Sequence, residues 1–391
     1  MTINQDKIDE WVREIEERPI SAPIILRYIA SRLIDLTAQT EELRAENYAL
    51  RSGSRVEEYE RRIANLEYQI ALLKRQVSGQ AEEAMAGRVN LIVYNQEGQA
   101  LRVELLAAEL VANQRVAVLK TGAHSNLAPV RMLVAGLHEE LLFVFDSGRT
   151  ATAVVTAIPA VTGNDLDWKH AHLQMPVGGE KLVVVAPVAR MSLVESIVQS
   201  TLRGWVKRMM PSFFASQVAK NYIGAGVKLQ PDKTSGLTLC GKQHHFVMVS
   251  REGHLFSIDP ARLPYAIEEA MKLRATDTII SSFAVANYES IAAVTTNGKV
   301  IQRDFAWIEP AVSLNSKRQA LFSQARRDAG IKVAAAGSVR EGDWGAALHA
   351  DGNITLHTMS DLFAAGKLSA LEEQAEIVDF VVFAAPGSEQ G

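Results

Sequence analysis

The segment VQSTLRGWVKR, Val198–Arg208, places a turn glycine between two short runs with β character, and the same arrangement occurs six times in the chain. The copies read QEGQALRV, DSGRTATA, LRGWVKRM, REGHLFSI, TNGKVIQR and ADGNITLH. Their turn glycines are Gly98, Gly148, Gly204, Gly253, Gly298 and Gly352, at intervals of 50, 56, 49, 45 and 54 residues. The sequence therefore contains an internal repeat.

Each turn glycine lies between an apolar segment, such as LLFVFDS or FVMVSRE, and an alternating segment. Two runs with a period of two residues, joined by a polar turn with glycine, are typical of a β-hairpin. A single hairpin of this kind carries little information, because it is common in β proteins. Six at a regular interval predict small sheets that stack radially or linearly.

Basic residues follow the turn glycine in the odd-numbered copies but not at the same place in the even ones. The cations are Arg102, Lys207, Arg208 and Arg303, where the even copies have Thr152, Ser257 and His357, and Arg149 departs from the rule. We expect these cations to lie exposed on the post-turn strands and to recur in every second repeat. They would contact phosphates there, or they are solubilising surface cations.

The repeats resemble the C-terminal domain of the A subunit of DNA gyrase and topoisomerase IV over roughly residues 88–363. The resemblance is carried by SIVQSTLRGWVKRMMPSFF, HFVMVSREGHLFSIDPARLP, AVTTNGKVIQRDFAWIE and LLFVFDSGRTATAVVTAIP. It implies an all-β, six-bladed β-pinwheel with four-stranded blades and a basic rim that binds duplex DNA. We expect no cofactor and no metal, because the chain has no nucleotide-binding motif and no complete set of metal ligands.

The chain departs from this family in two ways. The family's DNA-cleaving domain, which carries the catalytic tyrosine, is replaced here by about 87 residues of helical character, so we expect no enzymatic activity. The family's glycine- and arginine-rich heptapeptide has only a weak counterpart in NQRVAVLKTG, Asn113–Gly122, which lacks the glycine core. The resemblance therefore implies binding and partial bending of DNA rather than a full wrap.

We expect DNA contacts from basic residues in the repeats. Residues 88–391 contain 29 Lys and Arg against 29 Asp and Glu, so a basic surface must come from local clusters. The candidates are Arg102, Arg115, Lys120, Arg203, Lys207, Arg208, Lys220, Lys228, Arg303, Lys317, Arg318, Arg326 and Arg327. The alternative is a protein-interaction scaffold, in which a neutral disc binds a protein partner through an apolar patch.

The segment before the repeats has helical periodicity. We predict a short helix in residues 1–20, a coiled-coil segment in 21–77 with a break at 52–54, a linker in 78–87 and the pinwheel in 88–391. The second seam is Val56, Tyr59, Ile63, Leu66, Ile70, Leu73 and Val77, with spacings of three and four. At the Ser-Gly-Ser break the helix either hinges or reverses into an antiparallel hairpin. We favour homo-oligomerisation through residues 29–77.

Composition and motifs exclude several function classes. The chain has 391 residues, 48% hydrophobic and 22% charged, with no apolar run long enough to span a bilayer and no signal-peptide pattern, so we expect a cytoplasmic protein. The one cysteine, Cys240, is expected to be a buried thiol. Gly224 and Gly226 lack the context of a dinucleotide site, and the pairs His244–His245 and His170–His172 lack further metal ligands.

Overall fold

A computed structural model of the chain describes residues 5–51, 88–106, 110–120, 130–161, 165–168, 171, 178–188, 194–224, 232–316, 318–368 and 376–385. The chain divides into two compact units, Met1–Ala84 and Met85–Gly391. Each unit is described by itself.

The first unit contains two helices in its described part. Helix α1 spans Gln5–Glu17, a 3-10 turn covers Pro19–Ser21, and helix α2 spans Ala22–Arg51. The two helices pack against each other through an edge-to-face contact between Trp11 on α1 and Tyr28 on α2, with ring centroids 5.6 Å apart. The predicted seam over 55–77 and the linker over 78–87 lie outside the described residues. No helix of the described part is long and apolar enough to cross a membrane.

The second unit is built mainly of short strands. In chain order the described residues form β1 (Arg88–Tyr94), β2 (Ala100–Leu106), β3 (Gln114–Leu119), β4 (Arg131–Ala135), β5 (Glu140–Phe145), β6 (Thr150–Val154), β7 (Asp165–Leu166), β8 (Leu182–Pro187), β9 (Ser196–Thr201), β10 (Trp205–Met209), β11 (Thr234–Cys240), β12 (His244–Ser250), β13 (His254–Ile258), β14 (Glu268–Glu269), β15 (Ile279–Ala286), β16 (Ser290–Thr295), β17 (Val300–Asp304), β18 (Gln319–Ala320), β19 (Val333–Val339), β20 (Trp344–His349), β21 (Asn353–Thr358) and β22 (Ile377–Phe383). Short helices are α3 (Pro211–Ala219), α4 (Gln324–Asp328) and α5 (Met359–Ala365).

These strands form six sheets, which we call blades 1 to 6 in chain order of their hairpins. Their strand orders are β2-β1-β4, β6-β5-β8, β11-β9-β10-β14, β15-β12-β13-β18, β17-β16-β19 and β22-β20-β21-β3-β7. Each blade has one repeat hairpin, and the strand before the turn is central. An inner strand pairs with that central strand, and in blades 1 to 5 it leads directly into the next hairpin. The predicted all-β, six-bladed architecture is therefore confirmed, although the blades vary between three and five strands.

The six hairpins share one register. In every blade the residue four positions after the turn glycine pairs with the residue six positions before it. The pairs are Arg102 with Ile92, Thr152 with Leu142, Arg208 with Val198, Ser257 with Val247, Gln302 with Ala292 and Leu356 with Ala346. Each turn glycine donates its N–H to the carbonyl three residues earlier and has a φ between 78° and 89°. The turns are equivalent in all six blades.

Neighbouring blades interlock at these turns. The carbonyl oxygen of a turn glycine accepts a hydrogen bond from a segment that follows the next repeat's hairpin. The described pairs, donor first, are Ile223 to Gly148, Ala270 to Gly204, Leu321 to Gly253, Leu368 to Gly298 and Leu119 to Gly352. Each hairpin is therefore followed by a segment that returns to the outer edge of the blade before it.

The close approach of this returning segment explains the glycine at two of the turns. A Cβ on Gly204 would overlap the Met271 carbonyl, and a Cβ on Gly352 would overlap the Leu119 carbonyl. Both glycines also have the positive φ that side chains of L-residues disfavour. At Gly298 the nearest atom to an added Cβ is 3.8 Å away, so only the φ requirement applies there.

Hydrophobic clusters between neighbouring blades close the ring. The described residues form six clusters, which lie between blades 1 and 2, 2 and 3, 3 and 4, 4 and 5, 5 and 6, and 6 and 1. In the last cluster Leu91 and Leu101 pack with Leu348 and Ile354, so the first and last repeats share a core. Strand β3, from the first repeat, also pairs with β21 in blade 6.

A buried carboxylate joins the inner strands at this closure. Asp379 on β22 accepts a hydrogen bond of 2.7 Å from the Met132 N–H on β4 and pairs with the Arg131 guanidinium at 3.1 Å. The Asp379 side chain is only 7% exposed, and burial raises its pKa, while Arg131 acts in the opposite direction. Cys240 is a buried free thiol, as predicted, and burial raises its pKa to about 12.

Candidate functional site

The six turns mark one face of the ring, which we call the turn face. Each inner strand begins beside a turn, because turn residues exchange hydrogen bonds with the residue just before that strand. For example, the backbone N–H groups of Leu202, Arg251 and Thr296 donate to the carbonyl oxygens of Lys233, Thr278 and Lys332, respectively. The connections that run from an outer edge to the next inner strand therefore end at the turn face.

The charge of these connections differs around the ring. Three consecutive ones, residues 224–233, 272–278 and 322–332, have six Lys and Arg against three Asp among their described residues. We call these three the basic arc. The other three, residues 120–130, 162–181 and 369–376, have two Lys against four Asp and Glu among theirs. Among its described residues the turn face therefore has one positive sector.

The same asymmetry holds for whole blades. Residues 196–339, from β9 to β19, contain 18 Lys and Arg against 10 Asp and Glu, a net charge of +8. The remainder of residues 88–391 contains 11 against 19, a net charge of −8. A domain that is neutral in sum is thus divided into a basic half and an acidic half.

Two arginines fix the backbone of the middle connection. The Arg203 guanidinium donates to the carbonyls of Asp277 at 2.6 Å, Arg274 at 3.1 Å and Ala275 at 3.3 Å. The Arg318 guanidinium donates to the Lys272 carbonyl at 2.7 Å. These two cations therefore position the segment that displays Lys272 and Arg274.

Four basic side chains in and beside the basic arc are free to meet a ligand. Lys220, Lys272, Arg274 and Arg326 are exposed, and their side chains make no hydrogen bond or ion pair within the described part of the chain. Arg327 instead donates to the Phe322 carbonyl and the Gln324 side chain. Exposed cations without intramolecular partners are the groups best able to neutralise an anionic surface.

The expectation that the post-turn cations lie free on the surface is wrong. All four are half-buried: Lys207 donates to the Gly224 carbonyl at 2.7 Å, and burial lowers its pKa. Arg208 donates to the Pro260 carbonyl at 3.4 Å and lies over the Tyr265 ring, while Arg303 donates to the Leu321 carbonyl at 2.9 Å. Arg102 contacts the Asn90 side chain and the Ile158 carbonyl. The reason is that returning segments cover these strands.

The remaining predicted cations lie elsewhere. Arg115 is exposed on β3 at blade 6, and Lys120 pairs with Asp165 at 2.8 Å, which raises the Lys120 pKa. Lys228 and Lys317 lie outside the described residues. Lys272 and Arg274 were not predicted from the sequence, because neither lies on a post-turn strand or in a dense cluster of basic residues. The signal that marks them is their position in the connection that precedes an inner strand.

One group of potential metal ligands occurs in the described part of the chain. Atoms of Glu252, His254 and Asp277 lie within 4.8 Å of one another. Asp277 accepts from the backbone N–H groups of Glu252 and Thr278, and Glu252 lies 3.7 Å from the Lys332 amine. Burial lowers the pKa of His254, and nearby Arg318 and Arg327 lower it further. Neighbouring cations and the hydrogen bonds to backbone give this group a structural role and disfavour a bound cation.

Comparison with known proteins identifies the fold of the second unit. Neither a protein-family model nor a curated protein sequence matches the chain. A solved structure of the DNA gyrase A C-terminal domain aligns with 75% of this chain and 99% of its own, at a TM-score of 0.55 and 14% identity. The C-terminal domain of DNA topoisomerase IV aligns with 76% of this chain and 94% of its own, at a TM-score of 0.49 and 16% identity. The E. coli ParC C-terminal domain aligns with 76% of this chain and 99% of its own, at a TM-score of 0.33 and 11% identity. The first of these, together with the six interlocked blades, shows that the second unit has the β-pinwheel fold of the DNA gyrase A C-terminal domain.

Proposed function

We propose that this protein binds duplex DNA through the basic arc, without base specificity. The observation that carries the proposal is the +8 charge of residues 196–339 in a domain whose remainder carries −8. A positive sector opposite a negative one orients an anionic polymer and confines it to one side of the ring. Because the second unit shares its fold with a domain of DNA gyrase, we propose DNA as the anionic polymer.

Sequence-independent binding follows from the chemistry of the arc. Lys and Arg side chains that contact phosphates release counterions, and this supplies affinity for any duplex sequence. The arc presents its cations on short connections and on the five-residue helix α4, and none of these is a long recognition helix or ribbon that would fit the major groove. We therefore propose phosphate contacts as the main source of affinity.

The extent of the arc limits how far DNA is bent. It occupies three of the six connections on the turn face, and the acidic half repels the duplex beyond it. Bending a site by about 40–90° requires roughly 1–6 kcal/mol, which several phosphate contacts can offset. We propose partial bending in a DNA-binding protein that performs no catalysis and acts in the cytoplasm.

A salt titration tests the proposal. Gel-shift or fluorescence titrations of the full chain, with two duplexes of equal length and unrelated sequence, should give equal affinities. The logarithm of the binding constant should fall linearly with the logarithm of salt, with a slope of about 0.9 per phosphate contact. Absence of binding at low salt, or a strong preference for one duplex, contradicts the proposal.

An exposed apolar patch supports a second candidate, a protein-interaction scaffold. Met210, Phe213 and Tyr265 are 43%, 56% and 62% exposed, and the Met210 Sδ lies 3.7 Å from the Tyr265 hydroxyl. Exposed apolar side chains that cluster often mark a protein contact. Replacing Phe213 and Tyr265 by Ser should abolish capture of a protein partner while DNA binding persists. Loss of DNA binding instead would assign the patch to the DNA interface.

A further inference from the structure

Helix α2 carries an apolar stripe along its length that is open to solvent. Leu26, Leu33, Leu36 and Leu43 are 62%, 58%, 43% and 64% exposed. With Ile29 and Thr40 they form an uninterrupted series of spacings of three and four residues. A stripe of this period on one side of a helix is the seam of a coiled coil rather than the wider face of a helix packed on a globular core.

The polar member of the described stripe is compatible with burial. The Thr40 hydroxyl donates to the Leu36 carbonyl of its own helix at 2.7 Å, so its hydrogen bond survives when the seam is covered. None of the charged residues of α2 lies at a seam position. Arg32 and Asp35, for example, flank the seam and pair with each other at 3.8 Å.

The heptad positions identify the partner. Leu26, Leu33, Thr40 and Asn47 fall at position a, and Ile29, Leu36, Leu43 and Leu50 fall at position d. Three of the four d positions are leucine, and a single Asn at a fixes register and number of strands in two-stranded coiled coils. Over residues 26–50 such a seam is roughly 37 Å long, at 1.5 Å per residue. We propose that two copies of this chain pair in parallel through α2.

The sequence beyond α2 favours the same occupant. Residues 55–77 lie outside the described part of the chain. Their sequence pattern places Val56, Ile63, Ile70 and Val77 at position a and Tyr59, Leu66 and Leu73 at position d. β-Branched residues at a with leucine at d are typical of parallel dimers. Charges at the flanking positions are also complementary between two parallel copies, with Arg55 facing Glu60 and Arg62 facing Glu67.

Pairing has a consequence for DNA binding, and this consequence alone rests on the proposed function. A dimer carries two pinwheels and therefore two basic arcs, so one particle contacts two duplex segments or two sites on one DNA. Linked sites raise the effective concentration at the second site and increase the overall affinity without a new contact. The pairing itself does not depend on DNA, and its tests use the protein alone.

The oligomeric state of the full chain is the first test. Light scattering should give twice the chain mass of 42.8 kDa. The substitution Leu33→Asp should yield a monomer, because it places a charge in the seam. Its control is Ile34→Asp, at the next residue, which is 70% exposed but outside the seam and should leave the dimer intact. A monomeric wild type, or equal dissociation by both variants, overturns the proposal.

Cross-linking tests the parallel register. Leu36→Cys should form an interchain disulfide on oxidation, because identical d positions face each other in a parallel pair, and the native Cys240 is buried. The rival is an intrachain antiparallel hairpin, since the two seams are mirror images about Gly53 and would pair residue 36 with residue 70. The double variant Leu36→Cys, Ile70→Cys would then form an intrachain bond in a monomer. That result, or the absence of interchain cross-linking in Leu36→Cys, contradicts parallel pairing.

Discussion

The two halves of the pinwheel, residues 196–339 and the rest of residues 88–391, share a backbone plan and differ in charge. Both repeat the same hairpin register, the same turn glycine and the same returning segment. One half carries +8 and the other −8. The repeat therefore constrains backbone geometry at the turns, whereas the charge of the connections differs between the halves, and the proposed DNA interface rests on that difference.

The largest effect is expected at the closure of the ring, which lies in the acidic half. Asp379→Ala leaves Arg131 and the Met132 N–H without their buried partner, and should reduce the free energy of unfolding by about 3–5 kcal/mol. Asp379→Asn, which retains a hydrogen-bond acceptor, should reduce it less. Urea denaturation measures both. Equal losses would show that the Asp379 charge dominates and that hydrogen bonding contributes little.

The pH dependence of this site has a definite sign. Burial raises the pKa of Asp379 in the folded protein, so the protonated carboxyl favours folding. Its contribution is fully present below the unfolded pKa and is lost as pH rises through the folded pKa. The stability of the wild type relative to Asp379→Asn should therefore fall as pH increases from the acid range toward neutrality.

The turn glycines should behave alike in both halves. Gly204→Ala in the basic half and Gly352→Ala in the acidic half force a left-handed backbone, at roughly 1–2 kcal/mol, and a clash with a carbonyl, at roughly 1–3 kcal/mol more. Gly298→Ala, where space is available for a Cβ, should lose only the roughly 1–2 kcal/mol due to the left-handed backbone. Chemical denaturation of the three variants checks this ranking. A loss at Gly298 as large as at Gly204 would refute the role assigned to the returning segment.

His357 in blade 6 should contribute to the acid sensitivity of the protein. His357 is 1% exposed and bonds to Thr355 at 2.8 Å and Asn113 at 2.9 Å, and burial lowers its pKa to about 4. The folded state therefore favours the neutral ring, and stability falls as pH decreases from the unfolded value of about 6.5. Thermal unfolding between pH 7 and pH 4.5 should show a smaller decline in His357→Gln. An identical decline in both proteins would place the acid-sensitive group elsewhere.

The sequence predicted the ring, and it predicted the proposed site in part: Lys220 and Arg326 were among the candidates, whereas Lys272 and Arg274 were not. The turn glycines and the alternating runs sufficed for six hairpins, since that signal is local. The returning segments were not predictable from one repeat, because they pair with the preceding blade and bury the post-turn strand. As a result Lys207, Arg208 and Arg303 were expected on the surface and are half-buried. Lys272 and Arg274, in contrast, enter the proposed interface through the position of a connection on the turn face.

The most direct test of the central claim compares two charge swaps of equal size. In the basic arc, Lys272→Glu with Arg274→Glu replaces two exposed cations; in the acidic half, Lys181→Glu with Arg115→Glu replaces two others. All four are surface changes that should alter the free energy of unfolding by no more than about 0.5 kcal/mol each. Salt titrations of duplex binding should show a slope reduced by about two units for the first pair and unchanged for the second. Equal effects of the two pairs, or no effect of the first, would contradict an interface on the basic arc.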